Sequence, residues 1–392
     1  MANDKLGDAK NVKNDEFYTQ YSDIEKEMNA YLDLNPKVFK DKTILLPCDD
    51  PEWSNFTKYF AQNFQTLGLK KLISTSYAPT AEAYSLQPTL FETESPQFDL
   101  GKTKTKGKIF TLTRDKSGDG RINVEDLEWK YLKGDGDFRS EEIRKLRDEA
   151  DVVITNPPFS LFREFLAWIF EGNKQFVIIG SMNSITYKDV FPLIKNNQMW
   201  LGNGFQAGNA YFRPLAEREY ATGVYDKGTN LVKFRNVVWF TNIDHGRRHE
   251  PMGLMTMSDN KKYSSHKEVR GIGYSKYDNY DAIEVPYTDA IPADYPGLMG
   301  VPISFLSKYN PDQFEIVGIT KTWDDGSGLK TRIYPTQTQV SVNGDESLVG
   351  KLNDGAAIKV KTPPNTTYYK VKNSMFIQVY ARILLKHRSA EQ

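Results

Sequence analysis

Cysteine is nearly missing from this sequence: Cys48 is the one thiol among 392 residues. An internal disulfide is therefore excluded, which fits a reducing compartment such as the cytoplasm. Also missing is any apolar run long enough to span a bilayer. Residues 1–13 are polar and charged and lack the apolar stretch of a signal peptide. The expectation is a soluble cytoplasmic protein with no membrane partner. Excess charge is absent as well, since 51 Lys and Arg balance 51 Asp and Glu. Any phosphate contact must then come from local basic patches. The four histidines, His245, His249, His266 and His387, show no metal-ligand spacing and read as surface or phosphate contacts. No internal repeat, coiled coil or long low-complexity tract occurs, which leaves a globular chain long enough for a large core and one or two further domains.

Against these absences one tetrapeptide stands out. Asn156-Pro157-Pro158-Phe159 follows directly on the apolar run Val152-Val153-Ile154. Such a run reads as a buried strand, and two consecutive prolines end it abruptly. Open α/β sheets place their chemistry at the carboxyl ends of strands. Here Asn156 offers a side-chain carbonyl acceptor, Pro157 keeps its backbone carbonyl free to accept, and Phe159 supplies a stacking face. Two acceptors and an aromatic plate suit a flat, amino-bearing base. The plain alternative is a proline turn beside a core phenylalanine.

The remaining pattern predicts an α/β fold. Residues 1–14 read as a mobile polar tail. Ser22 and Glu25 stand in capping-box spacing ahead of a helix with Ile24, Met28 and Tyr31 on one face. Strands are predicted at 43–46 and 69–74, with a helix carrying Phe56, Tyr59, Phe60 and Phe64 between them, which makes a βαβ unit and the start of a parallel sheet. Residues 78–136 read as an insertion forming hairpins outside that sheet. A helix at 140–149, the strand at 151–155, a helix at 160–170, a strand at 176–180 and a helix at 186–197 resume the alternation. Later strands are expected at 199–212 and 232–242. Residues 244–320 are rich in Tyr, Pro, Gly and charge, and 321–392 carries β-like runs.

Pro47-Cys48-Asp49-Asp50-Pro51 occupies the first strand-to-helix turn, where a nucleotide-like cofactor lies in such folds; an N-capping Asp in an ordinary loop is the alternative. Together with its neighbours this turn gains meaning. Asp15-Glu16-Phe17-Tyr18-Thr19-Gln20, Cys48-Asp49-Asp50-Pro51, Gly134-Asp135-Gly136-Asp137-Phe138-Arg139-Ser140 and Asn156-Pro157-Pro158-Phe159 occur in that order. The set resembles the EcoRI-type adenine-specific DNA methyltransferases of restriction–modification systems. Further matching stretches, including Asn183-Ser184-Ile185-Thr186-Tyr187 and Met299-Gly300-Val301-Pro302-Ile303, extend the resemblance over residues 14 to 320.

The resemblance implies a Rossmann-like methyltransferase fold over 15–243, with S-adenosylmethionine as donor, duplex DNA as substrate and a cognate restriction endonuclease as partner. It implies a target-recognition region at 244–320, followed by a β-rich extension at 321–392. Asn156 and Pro157 would bind the target amine and Phe159 would stack on the flipped base, with Pro158 completing the motif. Phe17, Tyr18 and Thr19 would close over the methionine end of the donor. Cys48, Asp49 and Asp50 would form its turn, with Asp49 on the ammonium or ribose side. Asp137 and Phe138 would lie beside the donor's adenine. One departure is that the second strand ends Ser74-Thr75-Ser76-Tyr77, with no acid for the ribose hydroxyls. A monomer is the expected state. Methylation of RNA or of protein glutamine is the alternative chemistry, and a DNA-binding protein that keeps the fold without catalysis is the alternative class.

Two further patterns sit outside that core. Asp115, Ser117, Asp119, Arg121, Asn123 and Asp126, with Gly120 between them, resemble a calcium loop of EF-hand or dockerin type. Structural calcium is the expectation there, and a polar hairpin the alternative. Lys102 and Lys104, in alternation with Lys106 and Lys108, could track a phosphate backbone, as could Arg247-Arg248 and Lys261-Lys262. Tyr263, Tyr274, Tyr277 and Tyr280, interleaved with charge, point the region 244–320 towards DNA.

Overall fold

The computed structural model describes residues 17–49, 54–78, 99–122, 126–205, 209–214 and 224–388, which form a mixed α/β protein. The tail expected at 1–14 lies outside them, as do Asp50 and Asn123. The chain divides into two compact units. One is Met1–Ser181 with Met199–Gly246, and the other is Met182–Gln198 with Arg247–Gln392.

The first unit is built on an eight-stranded sheet. At its centre lie four parallel strands, β2 (Thr43–Leu46), β3 (Lys71–Thr75), β6 (Val152–Thr155) and β7 (Gln175–Ser181), in the order β3-β2-β6-β7. Parallel strands are covered on both faces, and accordingly every residue of β2 and β6 is buried. Antiparallel strands close both sides. β4 (Lys108–Leu112) and β5 (Glu128–Tyr131) extend the sheet beyond β3, while β8 (Trp200–Leu201) and β12 (Val237–Thr241) extend it beyond β7. The expectation that 78–136 stands outside the sheet is corrected here. β4 pairs with β3 from Leu72↔Leu112 to Thr75↔Ile109, a non-local pairing that local turn signals do not reveal. A smaller antiparallel sheet joins β1 (Phe17–Thr19), β9 (Asn209–Pro214), β11 (Leu231–Arg235) and β10 (Tyr225–Asp226).

The longer helices of this unit among the described residues are α1 (Tyr21–Leu34), α2 (Asn55–Gln62), α3 (Glu141–Glu149) and α4 (Phe162–Glu171), beside one-turn helices at Phe64–Leu67 and Leu100–Thr103. The stripe Ile24, Met28 and Tyr31 of α1 is buried as its spacing demands. The capping box is not used: Gln20 occupies the cap, without a side-chain bond, and Ser22 lies inside the helix. Between Ile24 and Met28 runs a buried acid. Glu27 accepts from Tyr31 Oη at 2.7 Å and from the backbone N–H groups of Asn203 and Gly204 at 2.9 and 3.0 Å. Ser140 caps α3, accepting from Ile143 N at 3.3 Å. Arg147 then ties α3 to α4, donating to Trp168 O and to Glu171, both at 2.8 Å.

The second unit begins with a 3-10 turn at Met182–Thr186 and α5 (Phe191–Lys195). One longer helix was expected here. Pro192 lacks an N–H and fits only the first turn of a helix, and Asn197 leaves it in the left-handed region at φ 57°, so the helix is confined to five residues. Later come α6 (Met257–Tyr263) and two sheets. The first contains β13 (Ala282–Glu284), β14 (Leu298–Pro302), β21 (Arg382–His387) and β15 (Phe314–Ile319), side by side in that order. β21 pairs on both flanks, so residues on either side of position 320 share this sheet. Arg382 donates to Glu284 at 2.7 Å, and Tyr277 Oη donates to the same carboxylate. The second sheet is antiparallel, ordered β17 (Glu346–Leu348), β16 (Thr338–Val340), β19 (Tyr368–Val371), β20 (Ser374–Val379) and β18 (Ala356–Val360). No helix among the described residues is long and apolar enough to cross a membrane.

Candidate active site

The strand order of the first unit reverses between β2 and β6, and the turns after these two neighbours carry the residues of interest. Crevices at such reversals, outside the carboxyl ends of the strands, are where open α/β sheets bind ligands. β2 runs into Pro47-Cys48-Asp49. β6 runs into Asn156-Pro157-Pro158-Phe159. The prolines end β6 at Thr155 and start a 3-10 turn over Phe159–Leu161. Asn156 and Pro157 are buried, whereas Pro158 and Phe159 are half-buried, so Phe159 retains an accessible face.

A buried network of hydroxyls joins the two turns. Asp49 is only 6% exposed. Its Oδ2 accepts from Thr155 Oγ1 at 2.5 Å and its Oδ1 from Ser54 Oγ at 2.9 Å. Ser54 in turn caps α2, accepting from Phe56 N at 3.1 Å. Ser74 Oγ donates to the Asp49 carbonyl at 3.0 Å and pairs with Thr57 Oγ1 at 2.8 Å. Thr75 Oγ1 donates to the Pro47 carbonyl at 3.2 Å. A carboxylate can be buried only when hydrogen bonds replace its water, and the Thr155 and Ser54 hydroxyls do so. The network as a whole also fixes the acidic turn against the ends of β3 and β6. The hydroxyls of Ser54, Thr57, Ser74 and Thr155 escaped the sequence reading because Ser and Thr in and around strands pass for ordinary strand or loop residues. The signal was a hydroxyl residue as the last residue of an otherwise apolar strand, together with a Ser cap after the acidic turn.

The other expected donor-site segments converge on the same strand ends. Asn55 Nδ2, at the start of α2, donates to the Thr19 carbonyl at 2.8 Å, which ties β1 to that helix. The Gly134–Ser140 loop lies against the end of β3. Gly136 has φ 88°, and a Cβ there would run into the Ser76 carbonyl oxygen, so glycine is required for the close approach. Asp137 is clasped by Arg139, whose Nε and Nη2 donate at 2.9 and 2.7 Å. That hydrogen bond, with Glu164 adding to it, raises the guanidinium pKa above the ordinary Arg range. Phe138 is buried edge-on against Phe165 and Trp168, at 5.0 and 5.8 Å. Its ring therefore packs on α4.

The remaining predicted residues are dispersed. Lys102 and Lys104 are exposed, with Lys102 ion-paired to Asp99 at 3.5 Å, while Lys108 is buried over the Trp129 ring. Arg247 is half-buried, and Arg248 is buried and bonded to Asn197. His245 is likewise no surface group: it is buried, bonded through Nε2 to Leu201 O at 2.9 Å. Of the four tyrosines expected to face DNA, Tyr277 and Tyr280 are core residues and Tyr274 donates to Ala290 O at 2.6 Å. Tyr263 is exposed, beside the exposed Lys261 and Lys262.

The calcium expectation is not supported. Asp115 is turned inward, accepting from the N–H groups of Gly118 and Gly120 at 2.7 and 2.8 Å. Asp126 Oδ1 takes those of Lys116 and Ser117, both at 2.8 Å. Ser117 Oγ bonds Asp115, Asp119 accepts from Arg121 N at 2.8 Å, and Lys116 pairs with Glu128. The loop oxygens are thus bound to the loop's own backbone, and no three His, Cys, Asp or Glu among the described residues converge as metal ligands would.

The comparisons with known proteins agree on one family. The family described as adenine-specific methyltransferase EcoRI matches residues 5–388. The type II methyltransferase M.EcoRI of Escherichia coli is 42% identical over 326 residues, covering 82% of this chain and 91% of that protein. M.MpnI of Mycoplasma pneumoniae, another type II methyltransferase, is 33% identical over 83% of this chain and 89% of its own length. M.MgeORF184P of Mycoplasma genitalium is 35% identical over 79% and 84% respectively. No solved structure matches.

Proposed function

The chain belongs to the family of EcoRI-type adenine-specific methyltransferases, and on that premise we propose that Asn156, Pro157 and Phe159 hold an adenine flipped out of duplex DNA while its N6 is methylated. The enzyme uses S-adenosylmethionine and acts on double-stranded DNA, as its family does. Our reading adds a Rossmann-like catalytic unit, a recognition region in the second unit, a cytoplasmic monomer and a cognate restriction endonuclease. N6 is paired inside the duplex, so the base must leave the stack to react.

The residues around Asp49 fit the donor. A buried carboxylate flanked by hydroxyls and carbonyls suits ammonium and sulfonium groups, and the donor has no phosphate that would call for a glycine-rich cradle. Asp49 would hold the ammonium or ribose side, with Cys48 and Asp50 completing the turn and Phe17–Thr19 closing from β1. Bound S-adenosylmethionine supplies an electrophilic methyl group. The Asn156 carbonyl and the Pro157 backbone carbonyl accept the two amine hydrogens, which biases N6 towards a tetrahedral geometry and exposes its lone pair. Phe159 stacks on the base with its accessible face. Orientation and charge placement supply the acceleration, and no covalent enzyme intermediate is needed.

One observation supports this reading above the rest: the acidic turn and the Asn-Pro-Pro-Phe turn lie on neighbouring strands and are joined by the Thr155–Asp49 hydrogen bond. Radiolabelled S-adenosylmethionine offered in parallel with duplex DNA, RNA and protein tests it. Label recovered as N6-methyladenine in DNA is the expected result. Label entering RNA or protein instead would contradict the proposal.

A further inference from the structure

The second unit carries a feature that the methyl-transfer chemistry does not use. α6 and the turns after it fold back on themselves, with Gly271 N donating to Lys261 O and Gly273 N to Val269 O, both at 2.8 Å. Asn260, Ser264 and Val269 form the buried inside of this element. Ile272 is its tip, held between Gly271 at φ 80° and Gly273 at φ 91°, a conformation that L side chains resist. It is 71% exposed, and Tyr263 on the same element is 60% exposed. Such exposure of large apolar side chains is uncompensated in water.

Cations outnumber acids around them. Lys261, Lys262, Lys267 and Arg270 are all exposed, and none has an ion-pair partner among the described residues. Lys262 stands over the Tyr263 ring at 4.8 Å. Two acids share the element: Asp259 accepts from the Thr256 hydroxyl at 2.7 Å, and the exposed Glu268 faces Tyr287. His266 is stacked on Tyr287 and bonded to Asp289. Four solvated cations flanking a projecting Ile match a polyanion with an apolar interior, reached by phosphate contact on the outside and by a wedge at a base step.

We propose that the element 257–273 is a DNA-binding wedge in which Lys261, Lys262, Lys267 and Arg270 contact phosphates and Ile272 enters the stack of the bound duplex. This rests on the DNA-methyltransferase reading and deepens it by assigning a residue to the unstacking that base flipping requires. Phosphate contacts set affinity and its salt dependence, whereas the wedge offsets part of the unstacking energy.

The test uses a duplex oligonucleotide carrying the adenine that the wild type methylates, mapped first by methylation-sensitive sequencing of plasmid from expressing cells. A second duplex places a mismatch at that adenine, so that unstacking is already easy. Ile272→Ala should lose about tenfold in kcat/KM on the matched duplex, and the deficit should shrink to within about twofold on the mismatched one. Ile272→Leu should keep wild-type rates on both. The fourfold variant with Lys261, Lys262, Lys267 and Arg270 changed to Gln should bind both duplexes more weakly, with a log–log salt slope shallower by about three to four. Thermal melting should be unchanged in each. Ile272→Ala acting like the wild type on the matched duplex, or losing equally on both, would overturn the wedge. An unaltered salt slope would overturn the phosphate contacts. Absence of methylation by the wild type would overturn the parent reading and this one with it.

Discussion

The strand ends around Asp49 and the turn around Ile272 handle polar and apolar groups in opposite ways. At the first, a carboxylate is taken out of water and bonded to two hydroxyls, while a third hydroxyl holds its backbone carbonyl. At the second, a large apolar side chain is pushed into water and cations are left without ion-pair partners among the described residues. Buried polar groups are stable only when satisfied within the protein, so the Asp49 carboxylate is satisfied before any ligand arrives. The second is completed by something outside the chain. The difference separates a preorganised chemical site, where small displacements cost rate, from a contact surface, where they cost affinity.

Substitutions can break this contrast at both ends. The largest effect is expected at Gly136, where Ala would meet the Ser76 carbonyl and a left-handed backbone. Destabilisation of about 3 kcal/mol is predicted from overpacking and backbone strain together, measured by urea denaturation. Thr155→Val keeps shape but removes one hydroxyl from Asp49. It should cost about 2 kcal/mol, the worth of a buried hydrogen bond to a charged group, and raise the KM for S-adenosylmethionine, while Thr155→Ser restores both. A valine variant with wild-type stability and KM would show that the two turns are not coupled.

A smaller effect concerns pH. Burial, against the hydrogen bonds from Tyr31 and from the Asn203 and Gly204 N–H groups, pushes the Glu27 carboxyl up from its ordinary value. The folded chain then holds that proton more tightly than the unfolded one. This contribution is fully present below the unfolded pKa, about 4.3, and is lost as pH rises through the higher folded value. Glu27→Gln cannot ionise, so its urea midpoint should fall less than that of the wild type as pH rises from 4 to 8. Parallel curves would contradict this. Smallest of all, Lys261→Gln and Lys267→Gln should shift stability by no more than about 0.5 kcal/mol, as surface changes do. A larger loss would mean that these cations serve the fold.

Much of the first region was legible in the sequence. Val152-Val153-Ile154 before two prolines marks a buried strand and its end, and the structure ends β6 at Thr155. The acidic turn after β2 and the stripe on α1 were visible for the same reason, since each is written in consecutive or periodic residues. The place of β4 and β5 in the sheet was not, because it is set by β4 pairing with β3 across a long separation, with β5 following on β4. The hydroxyl network was hidden because its members are scattered between Asp49 and Thr155 and meet only in the folded sheet. In the second region, alternating charge and aromatic residues gave no means of telling Tyr277 and Tyr280, which are core, from Tyr263, which is exposed. Burial there depends on β21, a strand from the far end of the chain.

The central claim is that Asn156 grips the amine that receives the methyl group. Asn156→Ala, assayed for N6-methyladenine in duplex DNA by mass spectrometry with S-adenosylmethionine binding followed calorimetrically, tests it most directly. The predicted result is donor binding close to wild type and methyl transfer reduced by about 10²–10³-fold, as when one preorganised polar contact is removed. Undiminished methylation by a variant that still binds the donor would contradict the account.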